Sequence, residues 1–207
     1  MAPKNKFTKE EMVAAAVRVV RARGIDALTA KALSAELGVS TQPVFTCFHT
    51  IDEAKREVCS AAERVYDRYV AEGLQMPIPF LGVGMQYMRF AKEEPELYRL
   101  LFLMKHEDGG SSVMDALHHS QDLVRESLQQ TYHIDAPTAD RYFRDMWLVV
   151  HSLATLIVTG DCSYSEQEMS EILTGFSVSL CKAIKEIPGF AENNFDRDAV
   201  FHDLVKK

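Results

Sequence analysis

The chain has 207 residues, 47% hydrophobic and 26% charged, with 10 Gly and 7 Pro, the balance of a globular protein with one large or two small domains. A formal net charge of −7 argues against indiscriminate nucleic-acid binding by the whole surface, and no apolar run is long enough to cross a membrane. The opening MAPKNKFTKEE lacks an apolar signal region, so a soluble cytoplasmic protein is expected.

Charge is unevenly spread. Residues 1–60 hold nine Lys or Arg against seven Asp or Glu, and the remainder holds fourteen against twenty-three. A basic head on an acidic body suits a protein that touches DNA at one end. Cys47, Cys59, Cys162 and Cys181 are far apart and match no zinc or CxxC spacing, which predicts reduced thiols.

Taken in order, Lys4, Lys6 and Lys9 form a basic N-terminal arm. Thr8-Lys9-Glu10-Glu11 is a capping box that opens a first helix with Met12, Ala16, Val19 and Val20 on its buried side, closed at Gly24. Thr29 is the natural N-cap of a second helix, carrying Ala32, Leu33 and Leu37 inward. Gly38 follows where a left-handed residue is needed. The spacing then makes Ser40 the cap of a third, short helix with Pro43 in its first turn. Val44 and Phe48 point inward, leaving Thr41, Gln42 and Thr46 outward. A small helix presenting short polar side chains from its N-terminal end suits major-groove reading, although helix–glycine–helix is also an ordinary hairpin.

Thr50-Ile51-Asp52-Glu53 is a second capping box, starting a long connecting helix to about Glu72. After Met76-Pro77-Ile78-Pro79 come helices over 80–92 and 95–103, then a loop at 107–111. A long amphipathic helix over 113–132 follows. Asp135-Ala136-Pro137 starts the next, which runs to Gly160. Ser165-Glu166-Gln167-Glu168, a third capping box, starts a helix to about Ile187, and a short one begins near Asp196. No strand pattern or internal repeat is present, and the fold class is all-α. The expected head is residues 1–50, and the body is 51–207.

Residues 9–48, KEEMVAAAVRVVRARGIDALTAKALSAELGVSTQPVFTCF, resemble the DNA-binding head of the TetR/AcrR family of transcriptional regulators. The likeness rests on Ala15, Ala16, Val20, Gly24, Thr29, Leu33, Gly38-Val39-Ser40 and Phe48. In the body, residues 94–102 resemble a segment of one C-terminal subgroup. Trp147 and His151 resemble its Trp-x-x-x-His-Gly signature, with Ser152 in place of Gly. The resemblance implies a homodimer on a palindromic double-stranded DNA operator, and a small-molecule effector within the body that releases it. The DNA-facing set would be Lys4, Lys6, Thr29, Lys31, Ser40, Thr41, Gln42, Pro43, Thr46, His49 and Lys55. Two departures stand out: Phe45 replaces a tyrosine and Ile51 a lysine that contact phosphate in many members.

The effector set expected in the body is Met85, Tyr87, Met88, Tyr98, Phe102, Met114, Leu117, His118, Trp147 and His151. His118-His119 does not read as a metal site, because adjacent residues leave a helix on different faces. Val150, Ala154 and Ile157 with Ile172, Phe176 and Leu180 form the expected dimer interface, and Trp147 and His151 suit either role. Cys47 is a candidate redox sensor only if exposed in an electropositive setting. No catalytic triad order, phosphate-cradling loop or HExxH is present, so neither an enzyme nor a cofactor is expected. One rival is an all-α small-molecule binding or transforming protein that has lost DNA binding. Another is an activator with the same head.

Overall fold

The structure, a computed structural model, describes residues 7–104 and 113–206. Among them are ten α-helices, one 3-10 turn and no strand, so the all-α fold holds. The expected arm residues Lys4 and Lys6 and the loop at 107–111 lie outside the described residues. Lys9 belongs to the first helix and forms an ion pair with Glu57.

Helix α1 (Lys9–Arg23) opens with the full capping box: Thr8 Oγ1 accepts the Glu11 N–H, and the Glu11 carboxylate accepts the Thr8 N–H at 2.8 Å. Its buried side includes Met12, Ala16, Val19 and Val20, and Gly24 ends it at φ +77°. A 3-10 turn (Ile25–Ala27) leads to α2 (Ala30–Leu37), where Thr29 Oγ1 accepts the Ala32 N–H at 3.1 Å. Leu33 is fully buried, while Ala32 and Leu37 are half-buried against the same core. Gly38 takes the left-handed conformation at φ +66°, as a tight helix exit requires.

Helix α3 (Gln42–Cys47) departs from expectation at its start. Ser40 does not cap it; Thr41 holds that place with helical φ and ψ of −72° and −17°, and makes no side-chain cap bond. A cap oxygen is presented from extended backbone toward the second or third N–H. Here the second residue is Pro43, which has none.

Helix α4 (Ile51–Leu74) is also capped differently. Thr50 accepts the Glu53 N–H at 3.1 Å, but the Glu53 carboxylate turns back to the His49 N–H at 2.9 Å rather than to Thr50, so the capping box is only half formed. Ala54, Val58, Ala62, Tyr66 and Val70 of α4 are buried, and α4 packs on α1 as well as on the helices that follow it.

The body follows as α5 (Pro79–Glu93), α6 (Pro95–Phe102), α7 (Val113–Tyr132), α8 (Ala136–Thr159), α9 (Glu166–Glu186) and α10 (Arg197–Val205). Asp135 caps α8, Gly160 ends it, and the Ser165–Glu168 capping box on α9 is complete. Helix α5 packs against both α4 and α8, and α9 lies across α5 and α8. At the α4–α5 crossing the backbones nearly touch. A Cβ on Gly73 would sit 2.6 Å from backbone atoms of Val83, and one on Gly82 would strike the Gly73 carbonyl. The head also meets the body through α1 and α6. The Arg21 guanidinium donates twice to the Glu94 carboxylate, at 2.7 and 2.8 Å.

Candidate functional site

The head presents α3 on its surface. Val44 and Phe48 are fully buried beneath it, each such side chain contributing roughly 1.5–3 kcal/mol to holding the helix down. Thr41, Gln42 and Thr46 are exposed, as the spacing predicts, with Pro43 half-buried. The Thr46 hydroxyl donates to the Gln42 carbonyl at 2.9 Å, while the Gln42 amide has no partner among the described residues and is free to meet a base edge. Lys31, Ser40 and His49 are exposed around α3, and Lys55 is half-buried one turn into α4. Thr29 is exposed, with its oxygen engaged in capping α2. Phe45 is 50% exposed on the same helix, a large apolar ring where a polar contact would suit DNA. Ile51 packs half-buried against the core and offers no charge. Burial pushes the Cys47 thiol up, which removes the thiolate a redox sensor needs.

In the body, five residues of the expected effector set come together around His151. Tyr87 and Tyr98 each place a hydroxyl 3.0 Å from His151 Nδ1, and the Trp147 indole stacks on the imidazole with ring centres 4.4 Å apart. Phe102 packs against both tyrosine rings. The nitrogen carries one proton or one lone pair, so the two hydroxyls compete for it. Tyr98 has alternatives: Thr155 Oγ1 at 3.4 Å and the His151 carbonyl at 3.5 Å. Burial lowers the imidazole's proton affinity and raises that of both phenols, so all three groups are neutral near pH 7.

Tyr66 and Phe90, absent from the sequence-derived set, complete this cluster. Tyr66 meets Tyr87, Phe90 and Phe102 edge-on or tilted, and its hydroxyl lies 2.9 Å from Ser120 Oγ. Both share the apolar spacing of ordinary core positions, which is why spacing does not single them out. The rings of the cluster pack on one another around a polar centre, and the Trp147 indole N–H is buried without a hydrogen-bond partner among the described residues.

Of the other effector residues, Leu117 is buried, while Met114 and His118 are exposed on the outside of α7. His119 turns instead toward α4 and pairs with Asp67 at 2.7 Å. Met85 and Met88 line a cleft of about 310 Å³ with Gln86, Arg89, Ile157 and Met169.

A separate cavity of about 400 Å³ lies between α5, α8 and α9, and none of the ten expected effector residues lines it. Phe80, Leu81, Met146, Val150 and Leu173 make its apolar walls, with Ser177 and Cys181 along α9 and Lys182 and Lys185 at its end. The Ser177 hydroxyl is 2.6 Å from that of buried Tyr142. Only the i, i+4 run Leu173-Ser177-Cys181 hints at this wall in the sequence, and core packing explains the same spacing.

Of the expected interface, Val150 and Ala154 face inward, buried within their own protomer. Ile157, Ile172 and Leu180 are half-buried, and Phe176 is 54% exposed. The outer side of α8 carries Leu148, 57% exposed, with Ser152 and Leu156 one and two turns on. At about 100° per residue, this ridge lies on the opposite side of α8 from Val150 and Ala154.

Residues 80–174 match the family model of the tetracyclin repressor-like C-terminal domain. The fold is similar to that of a protein with unknown function from Rhodococcus sp. RHA1, with a TM-score of 0.68 over 88% of this chain and 98% of that one. The two are 21% identical, which makes the likeness one of fold. No curated protein matches the chain.

Proposed function

We propose that this chain, whose residues 80–174 match the tetracyclin repressor-like C-terminal domain, is a homodimeric DNA-binding transcriptional regulator released from a palindromic operator by a small molecule. The observation that carries the reading is α3. A six-residue helix is anchored by fully buried Val44 and Phe48, and it exposes Thr41, Gln42 and Thr46 on a head less acidic than the body. Gln42 is the side chain able to make a paired contact with adenine, and Thr41 and Thr46 can meet bases or phosphates. Lys31, His49 and Lys55, near α3, would meet phosphates and supply salt-dependent affinity without sequence choice.

Dimerisation would place two copies of α3 on successive major grooves. The apolar outer sides of α8 and α9, with Leu148, Leu156 and Phe176, are the surface we assign to it. An effector in the body would change head spacing through α4 and through the Arg21–Glu94 clamp, provided that it binds the two states unequally.

A second reading, a ligand-binding protein that has lost DNA binding, is favoured by Phe45 and Ile51, which supply neither a hydroxyl nor a charge to phosphate. Fluorescence anisotropy with labelled operator DNA separates the two. The regulator reading expects tight, salt-sensitive binding that a Thr41→Ala/Gln42→Ala/Thr46→Ala variant loses while its melting curve stays unchanged. Equal binding by that variant would remove α3 as the reader.

A further inference from the structure

We infer that the cavity between α5, α8 and α9 takes a single-headed amphipathic anion: an alkyl or aryl body carrying one carboxylate, held at the mouth by Lys182 and Lys185. This rests on, and deepens, the effector reading above. Its volume of about 400 Å³ lies within the range of small-molecule sites, roughly 300–1,000 Å³. The walls choose the body of the ligand. Phe80, Leu81, Met146, Val150 and Leu173 present carbon, and the polar groups among them are already occupied or neutral. Ser177 is engaged with Tyr142, and burial holds the Cys181 thiol protonated. A sugar or nucleotide would find little to replace its hydration there.

The mouth chooses the head. Lys182 and Lys185 are exposed, stand three residues apart on one side of α9, and have no carboxylate within 4.0 Å among the described residues. Glu186 also lines the mouth, so the side chains there carry two positive charges and one negative. The negative end of the α9 dipole offsets part of the remainder. A small positive balance suits one carboxylate and disfavours a dianion or a cation.

The site is independent of the assigned dimer surface. Thr174, Val178 and Lys182 follow one i, i+4 ridge of α9 along the cavity, while Ile172 and Phe176 follow another on the opposite flank. Occupancy also has a route to the head. Phe80, Leu81 and Gly84 of the wall flank Gly82, which sits against Gly73 of α4.

The test is calorimetric titration of the full chain with decanoate, 1-decanol and decyltrimethylammonium, each below its aggregation limit. Decanoate should bind more tightly than the alcohol, and the cation least. Lys182→Gln/Lys185→Gln should weaken decanoate about five- to tenfold, the worth of two exposed charge pairs, with decanol changed less than about twofold. Val178→Trp, at a position 48% exposed and therefore safe for folding, should block both by filling the mouth. No binding of decanoate would overturn the proposal. So would binding that ignores the lysines, or a cation that binds as well as the anion. A chain that binds decanoate in this way but retains no DNA affinity upholds the site and removes the regulator reading instead.

Discussion

Gln42 and His151 show how differently a single side chain can be tied to function. Gln42 stands free on α3, so its removal should leave the fold intact. Gln42→Ala should relax base preference at one operator position by about 1–3 kcal/mol, read from the binding of single-base operator variants. An unchanged profile would take Gln42 out of the readout. His151 is tied by geometry to Tyr87, Tyr98 and Trp147, and its removal tests the core. Burial holds its imidazole below the ordinary value of 6.5. Unfolding restores that value, so below about pH 6.5 the unfolded chain takes up a proton that the native chain refuses. This contribution to stability is complete above pH 6.5, and it is lost as pH falls toward the lowered native value. Urea titrations should therefore show the difference between wild type and His151→Gln changing with pH below 6.5, against the wild type. A constant difference would contradict a depressed imidazole. Tyr98→Phe should cost about 0.5–1.5 kcal/mol at neutral pH, because Tyr87 remains to satisfy Nδ1. Tyr87, Tyr98 and His151 were legible in the sequence as polar groups on apolar helix sides. What surrounds them was not, because Tyr66, Phe90 and Phe102 reach the same place from α4, α5 and α6, and that depends on how the helices pack.

Elements were the most legible scale, because caps and breakers act within a few residues. Thr8, Thr29, Asp135 and Ser165 cap as their spacing predicts, and Gly38 and Gly160 leave their helices in the left-handed conformation. The misses are equally local. Ser40 loses its cap to a helical Thr41 followed by Pro43, and Glu53 prefers the His49 N–H. Spacing names a capable side chain; the backbone conformation decides whether it is used. Long-range pairings left no trace. Arg21 and Glu94 are 73 residues apart, and nothing in either segment names the other. The close crossing of α4 and α5 is a further case, since nothing in the sequence around Gly73 or Gly82 names the other. Gly82→Ala should force the crossing apart and cost about 1–3 kcal/mol, measured as a lowered denaturation midpoint. A midpoint equal to wild type would mean that the two helices can separate freely.

Helix α4 and the Arg21–Glu94 ion pair link the N-terminal helices to those that follow, and the outer sides of α8 and α9 expose several large apolar side chains. Leu148, Leu156 and Phe176 are large apolar side chains left exposed there, and they are the surface on which the proposed dimer would form. Phe176→Asp should shift sedimentation toward a monomer and weaken operator binding, with the protomer's helical content retained. A dimer that survives the charge would place the interface elsewhere. Helix α8 was predicted correctly in extent, yet two of its expected interface residues, Val150 and Ala154, are buried within the protomer. Val150 and Ala154 face inward because α5 packs against that side, which no property of α8 alone reveals. The cavity escaped for the same reason, being shared by α5, α7, α8 and α9.

Selection of bound sequences from random double-stranded DNA, repeated at two salt concentrations, tests the central claim most directly. The account predicts an enriched palindrome with half-sites about one helical turn apart and affinity that falls steeply with salt. Recovery of no preferred sequence by the ligand-free protein would contradict it.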